Sequence, residues 1–423
     1  MPKMGNQNIL ISLLFIFSAS LALSKSAVNV VLTLTYVTAL FFIVRSRDYR
    51  KTIMANMGQP LVLPLVLYLA VAIVGLVYTE TINDGLGILN KIVGLFLVYF
   101  MTSVLINTIH GEKERAQTAE NLVLVFIAGI FILDMIGVLT YLGIVADRKF
   151  SLPVYPMHVH HIWFANLNAV GIYAAASLLL FPAAPQDRRK RTLLAIFIIF
   201  ALTAVLLSIS RTSWFGLIAT GVVLAYLYTR KKRIFFLIVA IGVISCLSAY
   251  FFLPFVHDRI VTIYTDTVVY STTGGDEYSS LGDRFLMWKA AMKMFLSNPI
   301  FGVGTGDYVS SIQAYVSAGQ LPARILGYNQ PHNMYLFTLA TNGLLGIAAL
   351  LYLFFRIFSF TRASGQGSPA HKSMLFLAIA VAVHYLVAGM TDSLFNIFIL
   401  RFSFAFIMGV CIRTVAEGEG RRK

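Results

Sequence analysis

The chain has 423 residues, of which 58% are hydrophobic and only 12% are charged, with 33 basic against 18 acidic residues. Soluble domains contain about 45–50% apolar residues, so this composition excludes an ordinary soluble enzyme and predicts a membrane protein. The two cysteines lie far apart in the predicted spans, which excludes a disulfide framework.

Apolar stretches long enough to cross a bilayer recur along the whole chain. A transmembrane helix needs about 20 mostly apolar residues, and hydropathy with flanking charge predicts twelve spans, hence an all-α polytopic membrane protein. The first span also resembles a signal peptide, because Lys3 precedes an apolar run that ends in small residues; we favour a retained helix. The spans cover residues 9–23, 27–44, 60–78, 86–108, 121–143, 161–181, 192–209, 213–229, 234–253, 332–355, 373–390 and 394–412.

The positions of the basic residues explain the net charge of +15. If the N-terminus is cytoplasmic, two thirds of the 33 basic residues fall in the termini and the even-numbered loops, close to helix ends. This bias is a topology signal and not a nucleic-acid-binding surface. It predicts that both termini are cytoplasmic, that the chain resides in a lipid bilayer, and that it has no nucleic-acid partner. The clusters are Lys3 and residues 45–51, 113–115, 188–191, 230–233, 356–372 and 413–423.

Residues 254–331 form the only long hydrophilic stretch, and the charge bias places it on the outer side. The predicted organisation is therefore nine spans in 1–253, a large outer loop with amphipathic helices in 254–331, and three spans with a short tail in 332–423. Long loops of this kind are usually functional or disordered. Residues 270–280 are flexible in composition, whereas 281–296 read as a helix.

In that predicted helix Arg284 shares an apolar stripe with Trp288, and Asp283 is the expected N-cap. A buried guanidinium needs a carboxylate or phosphate partner. We therefore interpret Arg284 as functional, with a buried salt bridge as the alternative. The glycines that follow, in FGVGTGDY, have the wrong spacing for dinucleotide binding and indicate a tight turn.

His332 follows Asn329-Gln330-Pro331 at the start of the tenth span. This pattern predicts a position in the first helical turn, with Asn329 as the cap. There the helix dipole would disfavour the protonated imidazole, and free N–H groups would attract an anion. His332 is therefore the candidate general base; the alternative is an ordinary interfacial histidine.

Arg211 lies in SISRTS, a very short outer turn where positive residues are disfavoured. It is either functional or a side chain that reaches lipid phosphate. Arg148 lies in the outer loop before the sixth span and is a further candidate. Lys91 and Arg401 lie inside spans near their outer ends, where ionisable groups are costly and indicate function or structural pairing. The carboxylates considered for that pairing are Asp84, Asp134 and Asp392.

Clustered imidazoles at His158, His160 and His161 suit a metal, but no carboxylate or thiolate lies near them in sequence. The outer side also lacks an Asp-x-Asp or Glu-x-Asp pair. We therefore expect neither a metal nor a cofactor.

Three ordered motifs together resemble the O-antigen ligase superfamily over about residues 160–415: SxSR at Arg211, RxxxW at Arg284 with NPIFGVGTGDY after it, and PHNMYL at His332. The resemblance implies a membrane glycosyltransferase of the GT-C type. Such an enzyme moves a glycan from undecaprenyl diphosphate to an acceptor hydroxyl on the periplasmic face, with inversion and without nucleotide sugar or metal. It also implies that His332 is the essential histidine and Arg211 and Arg284 the essential arginines, while Asp392 is similar to a recurrent late acidic position.

Three activities of this superfamily remain open. They are ligation of an undecaprenyl-diphosphate-linked O-antigen onto lipid A-core, polymerisation of repeat units, and transfer to a protein. The single large outer loop and the lack of an added C-terminal soluble region favour the ligase, in a bacterial inner membrane with its site facing the periplasm. A transporter or lipid flippase is the alternative of another class, because Lys91, Asp134 and Arg401 could line a path, but no inverted repeat is visible.

Overall fold

The structure, a computed structural model, describes residues 4–147, 149–182, 187–275, 277–364 and 367–420. In these residues the regular secondary structure is helical, which confirms the predicted all-α class. Short 3-10 turns occupy Ala323–Gly327 and Leu394–Asn396. The α-helices are α1 Met4–Ser20, α2 Lys25–Arg45, α3 Arg47–Asn56, α4 Val62–Val77, α5 Ile82–Asn107, α6 Glu112–Tyr141, α7 His161–Leu180, α8 Arg188–Leu207, α9 Arg211–Tyr228, α10 Lys232–Phe252, α11 Pro254–Thr273, α12 Ser280–Ser297, α13 Tyr308–Ser317, α14 Met334–Ala363, α15 Pro369–Ala388 and α16 Phe398–Gly420.

Nine helices in the described part of the chain are long and apolar enough to cross a membrane. The chain is therefore a multi-pass membrane protein. Helices α1 and α4 are apolar but shorter, and α9 is not among the nine. The count of twelve spans thus stays a prediction.

Helices α15 and α16 lie at the centre of the bundle. Helix α16 packs on α5 and α15, while α15 also packs on α7 and α9. By contrast, α10 has no buried residue and packs mainly on α9 and α11. An apolar helix that is exposed all round is stable only where lipid covers it, so α10 faces the bilayer. The polar groups described below lie at the helix ends that meet the stretch 254–331.

The stretch 254–331 is more ordered than its composition suggests. The predicted helix at 281–296 is present as α12, but its cap is Ser279, whose side chain accepts from the Gly282 N–H, and not Asp283. Sequence patterning did not locate α11 or α13. Helix α11 begins with a proline in its first turn, ends at a left-handed glycine, Gly274, and extends into the region predicted to be flexible.

The glycine-rich segment after α12 anchors this region to the bundle. Asp307 accepts hydrogen bonds from the Thr79 hydroxyl and from the backbone and side chain of Thr81, at 2.7–2.8 Å. Helix α14 is kinked at Gly343, whose φ of 60° suits glycine. The Leu344 N–H freed by the kink donates to the Pro299 carbonyl at 2.8 Å. A Cβ atom at Gly302 would lie 2.4 Å from the backbone carbonyl carbon of Thr341, and one at Gly343 2.4 Å from the Ile300 carbonyl oxygen, so this close backbone approach requires glycine at both positions.

Candidate active site

His332 lies just outside α14, which corrects the predicted position. The helix begins at Met334, and Asn333 caps it by accepting from two first-turn N–H groups, both at 3.0 Å. Asn329 is not the cap. The helix dipole therefore does not act on His332 as a first-turn residue. Instead, the His332 backbone has a left-handed φ of 49°, which is uncommon for a residue other than glycine and occurs disproportionately at functional sites.

The His332 imidazole is paired with Asp392. Its Nδ1 lies 3.2 Å from Asp392 Oδ1, and the two side chains are 26% and 2% exposed. Burial acts to raise the pKa of Asp392, but the hydrogen bond and charge of His332 and the charge of Arg284 outweigh it and lower that pKa. The amide nitrogen of Gln330 also lies 3.2 Å from Nδ1, but it donates to the same carboxylate oxygen of Asp392 at 3.4 Å. An ionised carboxylate can only accept, so with both groups directed at Asp392 Nδ1 carries the proton and Nε2 is left as the proton acceptor.

Helix α12 fixes the loops that carry this pair. Trp288 Nε1 donates to the Pro331 carbonyl at 2.9 Å, next to His332. One turn earlier, Arg284 Nη1 donates to the Thr391 carbonyl at 3.1 Å, next to Asp392. One helix therefore sets the distance between the imidazole and its carboxylate.

Three arginines converge beside His332. Arg211, Arg259 and Arg284 line a cavity of about 190 Å³ together with the imidazole. Burial, aided by the charges of Arg259 and Arg284, lowers the pKa of Arg211 to about 10, so that the guanidinium remains protonated at neutral pH. Among the described residues, Arg211 Nη1 and Arg259 Nε are buried without a hydrogen-bond partner. Converging cations with unused donors form a site for an anion.

The helix that carries Arg211 reinforces this reading. Arg211 is the first residue of α9, where a cation is unfavourable beside the positive end of the helix dipole. Ile209, two residues earlier, has a φ of 54° and lines the same cavity. A β-branched residue rarely adopts that conformation. Local strain and charge repulsion are thus both concentrated at the arginine cavity.

Arg259 is the site residue that the sequence analysis did not select. It lies on α11, whose pattern is weak because Val256 and Asp266 are its only buried residues among those described. Burial lowers the pKa of Arg259, and Asp266 acts to raise it. The sequence did contain one signal for α11: a proline suited to a helix start and a glycine suited to a helix end bound the segment, and Arg259 falls in its second turn.

The other predicted residues separate into two groups. Lys91 and Asp392 line a second, larger cavity that also reaches His332. Arg401 instead donates from Nη1 to the Phe395 carbonyl at 3.0 Å and lies over the Phe402 ring, contacts that hold the α15–α16 connection. Arg148 lies outside the described residues.

Of the three clustered histidines, the rings of His160 and His161 lie 4.6 Å apart, centroid to centroid, whereas His158 lies elsewhere. His160 caps α7, the imidazole of His161 contacts the Ser208 carbonyl at 2.9 Å, and His158 lines a separate cavity. In the described ranges no group of three or more His, Cys, Asp or Glu side chains is arranged to hold a metal ion. His160 and His161 contribute instead to the walls around His332.

Comparison with known proteins gives two findings. An uncharacterized protein of Haemophilus influenzae is 28% identical over 234 residues, which are 53% of this chain and 57% of the relative. A family model described as O-antigen ligase matches residues 195–351, a segment that contains Arg211, Arg259, Arg284 and His332. The match confirms the resemblance that the three motifs predict. Residues 195–351 of the chain are therefore similar to the O-antigen ligase family.

Proposed function

We propose that this protein is an O-antigen ligase of the GT-C type, which transfers a glycan from undecaprenyl diphosphate to a sugar hydroxyl of lipid A-core. The observation that carries the proposal is the meeting of a carboxylate-oriented imidazole with three arginines at one cavity. The imidazole is suited to remove a proton, and the guanidinium groups are suited to hold a diphosphate.

In the proposed reaction His332 Nε2 removes the proton from the acceptor hydroxyl. The hydroxyl oxygen forms a bond to the anomeric carbon while the bond from that carbon to the diphosphate oxygen breaks. The departing electron pair stays on undecaprenyl diphosphate, whose added charge Arg211, Arg259 and Arg284 stabilise. In-line displacement inverts the anomeric carbon. No metal takes part in this scheme.

The proposed topology has twelve spans, with both termini in the cytoplasm and the site at the periplasmic face of the inner membrane. Residues 254–331 then roof a cleft between the outer ends of α9 and α15. Helix α10 supports this arrangement, since its exposed apolar surface leaves that side of the cleft next to lipid. A lipid-linked diphosphate could reach the arginines from the bilayer.

Reconstituted protein with a labelled undecaprenyl-diphosphate glycan separates the candidate activities by product. A ligase gives labelled lipid A-core when that acceptor is supplied, and the yield is unchanged by EDTA. Longer glycan on the lipid carrier would identify a polymerase, and labelled protein a protein glycosyltransferase. Movement of the donor across the bilayer with none of these products would identify a flippase.

Arginine substitutions test the diphosphate assignment. Arg211→Lys and Arg284→Lys keep the charge but lose bidentate geometry, so the donor Kd should rise about tenfold in each. Arg233→Lys, at an exposed position of α10, is the matched control. Unchanged donor affinity in both site variants would contradict the assignment.

A further inference from the structure

His332 stands between two cavities of different chemistry. The larger has a volume of about 430 Å³, within the usual range for ligand sites. It shares His160, Ile162 and His332 with the arginine cavity but is lined by none of the three arginines. A second reactant that reaches the imidazole from this side meets a wall whose charged side chains are Lys91, Asp84 and Asp392.

The wall of the larger cavity suits a sugar. It combines amide groups with aromatic rings, which respectively exchange hydrogen bonds with hydroxyls and pack against apolar ring faces. The polar and aromatic lining includes Asn83, Asn329, Gln330, Asn396, Trp163 and Tyr308.

Lys91 is the one lysine among the described residues of this wall. No described carboxylate lies within salt-bridge distance of its ammonium group, although Asp84, two turns earlier on α5, also lines the cavity. Arg401, the neighbouring cation, donates through Nη1 to the Phe395 carbonyl, and although its Nε has no hydrogen-bond partner among the described residues, Arg401 does not line this cavity. An ammonium group half-buried near the end of a membrane helix is costly unless it has a use.

We infer, given the proposed function, that the larger cavity binds the acceptor sugar and that Lys91 there binds an acidic group of that sugar, a phosphate or a carboxylate. His332 then lies where the acceptor hydroxyl and the donor diphosphate meet. The arginine cavity holds the leaving group on one side, and Lys91 positions the acceptor on the other.

Binding of a soluble acceptor tests this inference without requiring transfer. The full-length protein, in phosphatidylcholine nanodiscs, is titrated with delipidated core oligosaccharide in intact, phosphatase-treated and carboxyl-reduced forms. Lys91→Gln should raise the Kd for the intact form about tenfold. Lys91→Gln should not change the Kd for the treated form that lacks the acidic group. Lys91→Arg, which keeps the charge, should bind the intact form with nearly wild-type affinity. If wild type binds the phosphatase-treated form more weakly, the group is a phosphate. If it binds the carboxyl-reduced form more weakly, the group is a carboxylate.

Lys289→Gln, on the exposed face of α12, is the matched control and should bind all three forms as wild type does. The inference is overturned if Lys91→Gln binds the intact form as wild type does, or weakens all forms equally. It is also overturned if the Lys91 effect appears only in nanodiscs with anionic lipid, which would assign Lys91 to lipid headgroups. Lys91-dependent binding in a protein that forms no transfer product would refute the ligase and leave the acidic-sugar site in place.

Discussion

At the scale of single residues, the candidate chemistry depends on a carboxylate and three guanidinium groups that lie around the His332 imidazole. Asp392 is buried and contacts Nδ1, which fixes the tautomer. The three arginines lie in the adjoining cavity, where burial and mutual repulsion make an anion favourable. The candidate base and the candidate leaving-group site therefore adjoin at His332, which lines the arginine cavity.

Asp392→Asn should leave the fold in place, because asparagine has the same shape, but the amide no longer fixes the His332 tautomer. We expect kcat for transfer to fall roughly a hundredfold, with little change in donor Kd. Steady-state rates at saturating donor measure the effect. Asp48→Asn, an exposed position on α3, is the control and should retain wild-type kcat. Wild-type kcat in Asp392→Asn would show that the carboxylate does not orient the base.

Arg259→Gln removes the guanidinium that sequence patterning overlooked. If Arg259 shares the diphosphate with Arg211 and Arg284, the donor Kd should rise about tenfold. Binding of labelled donor to detergent-solubilised protein provides the measurement, with Arg233→Gln as the exposed control. Should Arg259→Gln bind donor normally, the anion site would consist of two arginines only.

At the scale of elements, α12 and the segment after it set the position of the site. Trp288 and Arg284 tie α12 to the two loops that carry His332 and Asp392. The helix itself was predictable, because its apolar period lies within contiguous sequence. The pairing of His332 with Asp392 was not, since it joins positions 60 residues apart through tertiary packing alone. The start of α14 was misplaced because Pro331 and Asn329 form a plausible helix entry, whereas Asn333 made the actual cap.

The Asp307 anchor is predicted to stabilise this arrangement. Asp307→Ala leaves the donors of the α4–α5 turn unpaired and should lower the free energy of unfolding by about 2–3 kcal/mol. Burial acts to raise the pKa of Asp307, but hydrogen bonds from Glu80, Thr81 and Thr79 outweigh it and lower that pKa. Its stabilisation is therefore complete above the unfolded pKa of about 3.9 and is lost as pH falls through the lowered folded value.

Thermal unfolding in detergent, compared between wild type and Asp307→Ala at several pH values, measures both the predicted loss of stability and its pH dependence. The difference should be constant at neutral pH and shrink only below about pH 4. Asp258→Ala, exposed on α11, should unfold as wild type does. A difference that is absent at neutral pH would mean that Asp307 does not anchor the loop.

At the scale of the whole molecule, composition and charge bias were sufficient to predict a polytopic helical protein, because both are summed over many residues. They did not predict which ends of the helices come together. Short motifs selected Arg211, Arg284 and His332 as candidates, but Arg259 and the two-cavity arrangement depend on the packing of α11 and α12 against the bundle. The proposed orientation places all of these groups on the periplasmic side of the inner membrane.

Side-specific labelling tests that orientation. In a background where Cys246 and Cys411 are replaced by alanine, a cysteine is introduced by Glu277→Cys or by Lys231→Cys. A membrane-impermeant maleimide should label the first variant in intact spheroplasts and the second only after lysis. The reverse pattern would place the loop at 254–331, and the site with it, in the cytoplasm.

The most direct test of the central claim is single-turnover transfer by His332→Ala, with donor binding measured on the same sample. Reconstituted protein is loaded with labelled undecaprenyl-diphosphate glycan, lipid A-core is added, and the product is followed in time. The proposed mechanism predicts wild-type donor affinity and transfer at least about a thousandfold slower than wild type. Transfer at the wild-type rate would show that His332 is not the base and would contradict the proposed mechanism.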